Sequence, residues 1–165
     1  MKKIIITDAV DKKCAAIFQS AGYEVTFQPG MPKDQILNVI KDYNGLVVRS
    51  ETKVKEDMIS LMEKMEVIGR AGTGVDNIDV GAATRKGIIV MNTPGGNTIS
   101  TAEHTMALMV SMARNIAQAN QSMRAGKWEK KSFKGTELHS KTLGIIGLGK
   151  IGREVAITFI PKALE

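Results

Sequence analysis

Short apolar runs rich in β-branched residues recur through the first half of the chain, and amphipathic stretches separate them. Residues 3–7 (KIIIT), 23–27 (YEVTF), 45–48 (GLVV), 66–68 (EVI) and 88–90 (IIV) read as strands. Between them, residues 11–20 carry Ala15, Ile17 and Phe18 at helical spacing. Residues 34–40 do the same with Ile36, Leu37 and Ile40, and residues 55–65 with Met58, Ile59, Leu61 and Met62. Residues 79–86 form a short helix that stops at Gly87, and Pro29-Gly30 ends the second strand. Asp8, at the end of the first strand, is expected to cap the turn or helix that follows. Strand and helix alternating over residues 1–94 predict a parallel sheet of about five strands covered by helices.

The second half has a different rhythm. Residues 97–124 predict one long helix. Ser100-x-x-Glu103 has the form of a capping box, and Ala102, Met106, Met109, Ala113 and Ile116 lie near one face. Gly126 stands where the helix should stop. The Met106, Met109 and Met112 group reads as core packing or as a subunit interface, since methionine adapts to irregular surfaces. Residues 127–134 (KWEKKSFK) read as a solvated loop anchored by Trp128 and Phe133. A nucleic-acid reading lacks a binding fold around it. The apolar run Leu143-Gly144-Ile145-Ile146 predicts a buried strand. Gly147-Leu148-Gly149-Lys150-Ile151-Gly152 then reads G-x-G-x-x-G, and a helix is expected from Arg153. Strand, three glycines and helix describe a dinucleotide-binding turn. Gly147 allows the turn, Gly149 lets backbone approach a pyrophosphate, and Gly152 lets helix pack on strand. The helix N-terminus offers free N–H groups to phosphate. The plain alternative is a tight glycine turn that binds nothing. The acidic ribose ligand that should follow about 20 residues on is not found. Residues 157–160 run into Pro161, and Glu165 is not assigned that role. A cofactor domain is expected to begin at residue 141 and break off.

Composition adds limits. The chain has 165 residues, 43% hydrophobic but only 4% aromatic, so aliphatic side chains and ten methionines must fill the core. The formal charge of +6 and pI near 9.5 suit nucleic acid or an anionic small molecule. Cys14 is the single cysteine, which excludes an internal disulfide and fits a reducing compartment. The apolar run after Met1-Lys2-Lys3 is too short for a signal peptide or membrane span, so the cytoplasm is expected and no membrane contact.

Three polar loops follow predicted strands, and in open α/β sheets ligands bind beyond the carboxyl ends of strands. Arg49-Ser50 follows the third; Arg49 is either an exposed structural arginine or a bidentate anion contact. Residues 69–77 (GRAGTGVDN) follow the fourth, either as a tight loop or as an anion-holding nest to which Thr73 adds a hydroxyl. Residues 92–97 (NTPGGN) follow the fifth and read first as a hinge, with Asn97 as a helix cap. Their placement predicts one shared cleft. His104 and His139 have no visible acidic or nucleophilic partner and read as structural. No metal-ligand spacing, nucleophile elbow or phosphate loop is present.

Val48-Arg49-Ser50, residues 69–77, residues 83–88 (ATRKGI) and residues 90–94 (VMNTP) resemble the D-isomer-specific 2-hydroxyacid dehydrogenases. Asn97, Ala102-Glu103, Gly126-Lys127-Trp128, Gly135-Thr136-Glu137-Leu138 and residues 141–154 continue the match, which runs from residue 3 to 156. The fold expected is α/β, a flavodoxin-like substrate domain over 1–94. A linking and dimerisation helix with its loop follows over 95–140, then the first strand, turn and helix of a Rossmann domain over 141–165. The resemblance implies NAD as cofactor, in a cleft between the domains. The small anionic substrate it implies is 3-phosphoglycerate, of serine biosynthesis. It implies that Arg49, Ser50, Thr73 and Asn97 line the substrate side, with Thr73 also near the nicotinamide. Gly147, Gly149, Lys150, Ile151 and Gly152 would hold the pyrophosphate. A homo-oligomer through the 97–124 helix is implied, with neither nucleic acid nor membrane as partner. The family's catalytic arginine, glutamate and histidine lie later and fall on no residue here, so the chain alone is expected to be inactive. Another D-2-hydroxyacid dehydrogenase, or a non-catalytic binding or dimerising module, are the alternatives.

Overall fold

The computed structural model describes residues 1–159, which fall into two units, Met1–Gly96 and a second from Asn97 onward. In the first, β1 (Lys3–Ile6), β2 (Glu24–Phe27), β3 (Gly45–Val48), β4 (Val67–Arg70) and β5 (Ile89–Met91) form one sheet in the order β2-β1-β3-β4-β5. Every pairing is parallel, with Ile5 level with Thr26 and Leu46, and Leu46 level with Ile68. That strand order is the flavodoxin one, with its reversal between β1 and β3.

Alternation along β1 divides the core, because successive side chains leave a strand on opposite faces. Ile5 joins Leu46 and Ile68 in a cluster with Ile36, Ile40, Met58, Ile59, Met62, Ala82 and Ala83. These side chains come from α2 (Lys33–Val39), the 3₁₀ turn after it, α3 (Glu56–Ser60) and its following turn, and α4 (Val80–Arg85). Ile4 and Ile6 face the other way, onto Ala15, Phe18 and Cys14 of α1 (Lys12–Ser20) and onto Val25 and Val47. Each fully buried isoleucine contributes about 1.5–3 kcal/mol relative to exposure.

Several local expectations need correction. Ile17 points to solvent, so the inner face of α1 is Cys14, Ala15 and Phe18. The helix expected over 55–65 ends at Ser60, where Leu61 and Met62 N–H groups turn back to Met58 and Ile59 carbonyls three residues earlier. Asp8 does not cap α1. Asp11 does, accepting the Lys13 N–H at 2.8 Å, while Asp8 turns inward.

In the second unit the single long helix is two, α5 (Thr98–Ala113) and α6 (Ile116–Arg124). The break lies at Asn115, whose φ of 52° is left-handed, a conformation asparagine tolerates better than most residues. The Ala113 carbonyl freed by the break accepts the Thr136 N–H at 2.7 Å. No capping box forms: α5 opens at Asn97, and the Ser100 hydroxyl donates to the Asn97 carbonyl at 3.1 Å. Trp128 anchors nothing; it is 78% exposed, while Phe133 is half-buried. The helix α7 (Lys150–Phe159) begins three residues before Arg153 and packs on α5, where Ala102 and Val155 are buried. Leu143–Ile146 is not a strand. It pairs with no other strand among the described residues, and a strand exists only through pairing. Of the expectations for 157–165, those on 160–165 lie outside the described residues.

Candidate functional site

Arg49 and Ser50 follow β3 directly, and both are exposed. The segment beneath them is held by a carboxylate from another strand. Asp8, 1% exposed beyond the end of β1, accepts N–H groups from Arg49 at 2.7 Å, Glu51 at 3.0 Å and Thr52 at 3.1 Å. The Thr52 hydroxyl donates to the same carboxylate and also meets the Thr7 hydroxyl at 2.9 Å. Burial alone would push the Asp8 carboxyl up. The Thr52 hydroxyl and the N–H groups of Arg49, Thr52 and Glu51 outweigh it and hold the carboxyl below its ordinary value.

A second buried side chain grips the segment through its carbonyls. Asn77, also 1% exposed, donates from Nδ2 to Arg49 O at 3.0 Å and Thr52 O at 2.8 Å. Carbonyls only accept, which fixes the orientation of the amide. The Asn77 Oδ1 has no hydrogen-bond partner. Backbone bonds of 2.9 Å from Val54 N to Asn77 O and from Asp79 N to Val54 O tie the two loops together.

The loop after β4 is braced from within. Arg70 donates from Nε to Arg49 O at 2.9 Å and pairs through Nη1 with Asp76 at 2.9 Å, leaving its side chain 11% exposed. The loop after β5 is joined to it, with Asn92 Nδ2 donating to Thr73 O at 2.6 Å and Thr93 N to Gly72 O at 3.0 Å. The three polar loops expected to form one shared cleft are hydrogen-bonded to one another at the carboxyl edge of β3, β4 and β5. Arg49, Ser50 and Thr73 belong to this edge, while Asn97 opens the second unit at the N-terminus of α5. A cleft of about 230 Å³ opens, however, at the β1–β3 reversal, with Thr7, Asp8, Lys33, Thr52 and Lys53 on its walls and none of Arg49, Ser50 or Thr73 among them. His104 and His139 are exposed, and no metal-binding cluster of His, Cys, Asp or Glu occurs among the described residues. No described helix is long and apolar enough to cross a membrane.

Asp8, Arg70, Asn77 and Asn92 were not marked as site residues by the sequence. Their roles depend on partners up to 44 residues away, which no local spacing reveals.

In the second unit the glycine turn and the helix after it keep the close packing expected of a pyrophosphate cradle, although no paired strand leads into them among the described residues. Gly147 has a φ of 95°, and a Cβ on Gly152 would run into the Gly147 carbonyl, so helix and turn sit as close as glycine permits. Nothing lies within 4 Å of where a Gly149 Cβ would stand. The turn leads straight into α7 at Lys150, and the Arg153 N–H closes onto Gly149 O at 3.0 Å. The residues present therefore fit a dinucleotide phosphate group.

The chain is similar to proteins already known. A D-3-phosphoglycerate dehydrogenase from Pongo abelii is 54% identical over 95% of the chain and 30% of its own length. Another so named, from Methanocaldococcus jannaschii, is 54% identical over 94% of the chain and 29% of its own length. The chain thus spans about 30% of the length of these relatives. The NAD⁺-bound 3-phosphoglycerate dehydrogenase of Entamoeba histolytica superposes with a TM-score of 0.75 and 34% identity. That match covers 95% of the chain and 50% of the solved structure. The family model for the D-isomer specific 2-hydroxyacid dehydrogenase catalytic domain matches residues 4–148. With a parallel sheet whose carboxyl edge gathers the polar loops, and a glycine turn shaped for a dinucleotide, the chain belongs to the D-isomer specific 2-hydroxyacid dehydrogenase family.

Proposed function

We propose that the chain carries the substrate-recognising sheet and the opening pyrophosphate turn of an NAD-dependent oxidoreductase. The substrate is 3-phosphoglycerate and the product 3-phosphohydroxypyruvate, in cytoplasmic serine biosynthesis. The names of relatives at 54% identity support the substrate. The observation that carries the reading is a contrast between two arginines. Arg70 is nearly enclosed and satisfied by Asp76 and Arg49 O. Arg49 is exposed, and its guanidinium makes no hydrogen bond or ion pair with the described residues, although its backbone is fixed on both sides. A fixed root with an unpaired fork suits capture of a carboxylate or phosphate.

In this reading Arg49 holds an anionic group of the substrate, and Ser50, Thr73 and Asn97 supply polar contacts. Gly147, Gly149, Lys150, Ile151 and Gly152 hold the pyrophosphate. NAD, when bound there, would supply the acceptor for the hydride of the hydroxyl-bearing carbon, and a base would take the hydroxyl proton. Neither exposed histidine of this chain is assigned that base. Calorimetric titration tests the reading. The chain is expected to bind 3-phosphoglycerate, and Arg49→Ala to weaken it about tenfold or more, a loss of about 1.4 kcal/mol. Unchanged affinity in that variant would remove Arg49 from the site. A panel of other D-2-hydroxy acids on the enzyme containing this chain separates the nearest alternative.

A second reading, assembly into a homo-oligomer through α5, α6 and the following loop, is favoured by one observation. Leu108, Met112, Met123 and Trp128 present apolar surface to solvent. Sedimentation velocity should show a dimer that Trp128→Glu with Met112→Glu converts to monomer. A wild-type monomer at tens of micromolar would count against it.

A further inference from the structure

We infer that Asp8 and Asn77 are positioning residues for Arg49: they hold the 49–52 segment from its N–H and carbonyl sides, so that the guanidinium projects from a fixed root. The inference rests on the reading of Arg49 as the anion contact.

The hydrogen bonds divide cleanly by type. Asp8 takes N–H groups of Arg49, Glu51 and Thr52, and Asn77 takes carbonyls of Arg49 and Thr52. Both backbone polar groups of Arg49 are therefore committed to buried side chains, 41 residues away in one direction and 28 in the other. An ordinary surface turn satisfies its backbone with water and needs neither. Asn77 also leaves its own buried Oδ1 unpaired. A site under selection for stability alone would shed such a group, because an unsatisfied buried acceptor is destabilising. Retaining it fits an amide kept for the shape it gives the loop. An arginine side chain has many rotamers, and fixing its backbone lowers the ordering that anion capture requires.

Isosteric changes weaken each grip. Asp8→Asn removes the charge and replaces one of the two acceptor oxygens with an NH₂, and Asn77→Asp turns a carboxylate toward two carbonyls. Thr52→Val removes one hydroxyl from the Asp8 side and is the milder variant should Asp8→Asn fail to fold. Amide hydrogen exchange and 3-phosphoglycerate titration are measured on the full chain. We expect exchange at the Arg49, Glu51 and Thr52 amides to quicken about tenfold or more in Asp8→Asn and Asn77→Asp, with β3 and β4 amides within about twofold of wild type. The dissociation constant for 3-phosphoglycerate should rise about tenfold, as it would on loss of Arg49 itself. Loop exchange unchanged in both variants overturns the inference. So does a rise spread evenly over β3 and β4, which marks a general structural role, and so does a quickened loop with unaltered phosphoglycerate affinity. Absence of phosphoglycerate binding by the wild-type chain sinks the functional reading instead; loop exchange then decides alone whether Asp8 and Asn77 set the segment's shape.

Discussion

A single carboxylate shows how much a residue's role depends on its surroundings. In the sequence Asp8 is one acid after an apolar run, and a helix cap was the local inference. In the fold it is buried and accepts N–H groups from a segment more than 40 residues away. Its titration makes a stability prediction. The folded carboxyl lies below the ordinary value of 3.8 because hydrogen bonds outweigh burial. It therefore contributes stability that is present above that value and lost as pH falls through the folded one. Asp57 and Glu66 are also lowered, but by exposed ion pairs with Lys33 and Lys2, and salt screens these. In about 0.5 M salt, where the screening length is only a few ångströms, the urea midpoint of wild type should drop between pH 6 and pH 3. Asp8→Asn should be less stable at pH 6 and show a smaller drop. Equal acid sensitivity in the two proteins would remove Asp8 as the source.

Elements were legible where short-range chemistry decides them. The strands announced themselves as β-branched runs, and buried parallel strands have apolar residues on both faces, as Ile4, Ile5 and Ile6 do. The break between α5 and α6 was not legible, because the apolar spacing continues through it. The cause is a left-handed Asn115 together with a carbonyl claimed by Thr136. Asn115→Gly should be neutral or slightly stabilising, whereas Asn115→Val should cost about 1–2 kcal/mol by denaturant titration. If valine is tolerated without loss, the left-handed conformation is not the reason for the break. Residues 143–146 failed as a strand for a different reason: the apolar run is right, but pairing is a property of the neighbours. The glycine turn was legible down to its spacing. Gly152→Ala should force Gly147 and α7 apart and weaken any dinucleotide contact there.

For the molecule as a whole, the two units differ in how much apolar surface they enclose. The first has clusters on both faces of the sheet, whereas among the described residues after Gly96 only Ala102 and Val155 are buried hydrophobics. Stability should follow this difference, since enclosed apolar area is the main favourable term. Limited proteolysis should cut between residues 126 and 149, which carry only a short 3₁₀ turn, before it cuts the sheet. First cuts inside residues 3–91 would reverse the order. Three strand ends carrying polar loops were legible as a common edge of the sheet, but neither the bonds that join those loops nor the place of the cleft was, because both depend on residues far apart in sequence. The central claim is that this edge receives the substrate's anionic groups, and a heteronuclear NMR titration with 3-phosphoglycerate tests it most directly. Shifts are expected at the amides of Arg49, Ser50, Gly72, Thr73 and Gly74, saturating together and absent in Arg49→Ala. Shifts confined to other parts of the sheet, or the same shifts in Arg49→Ala, would contradict it.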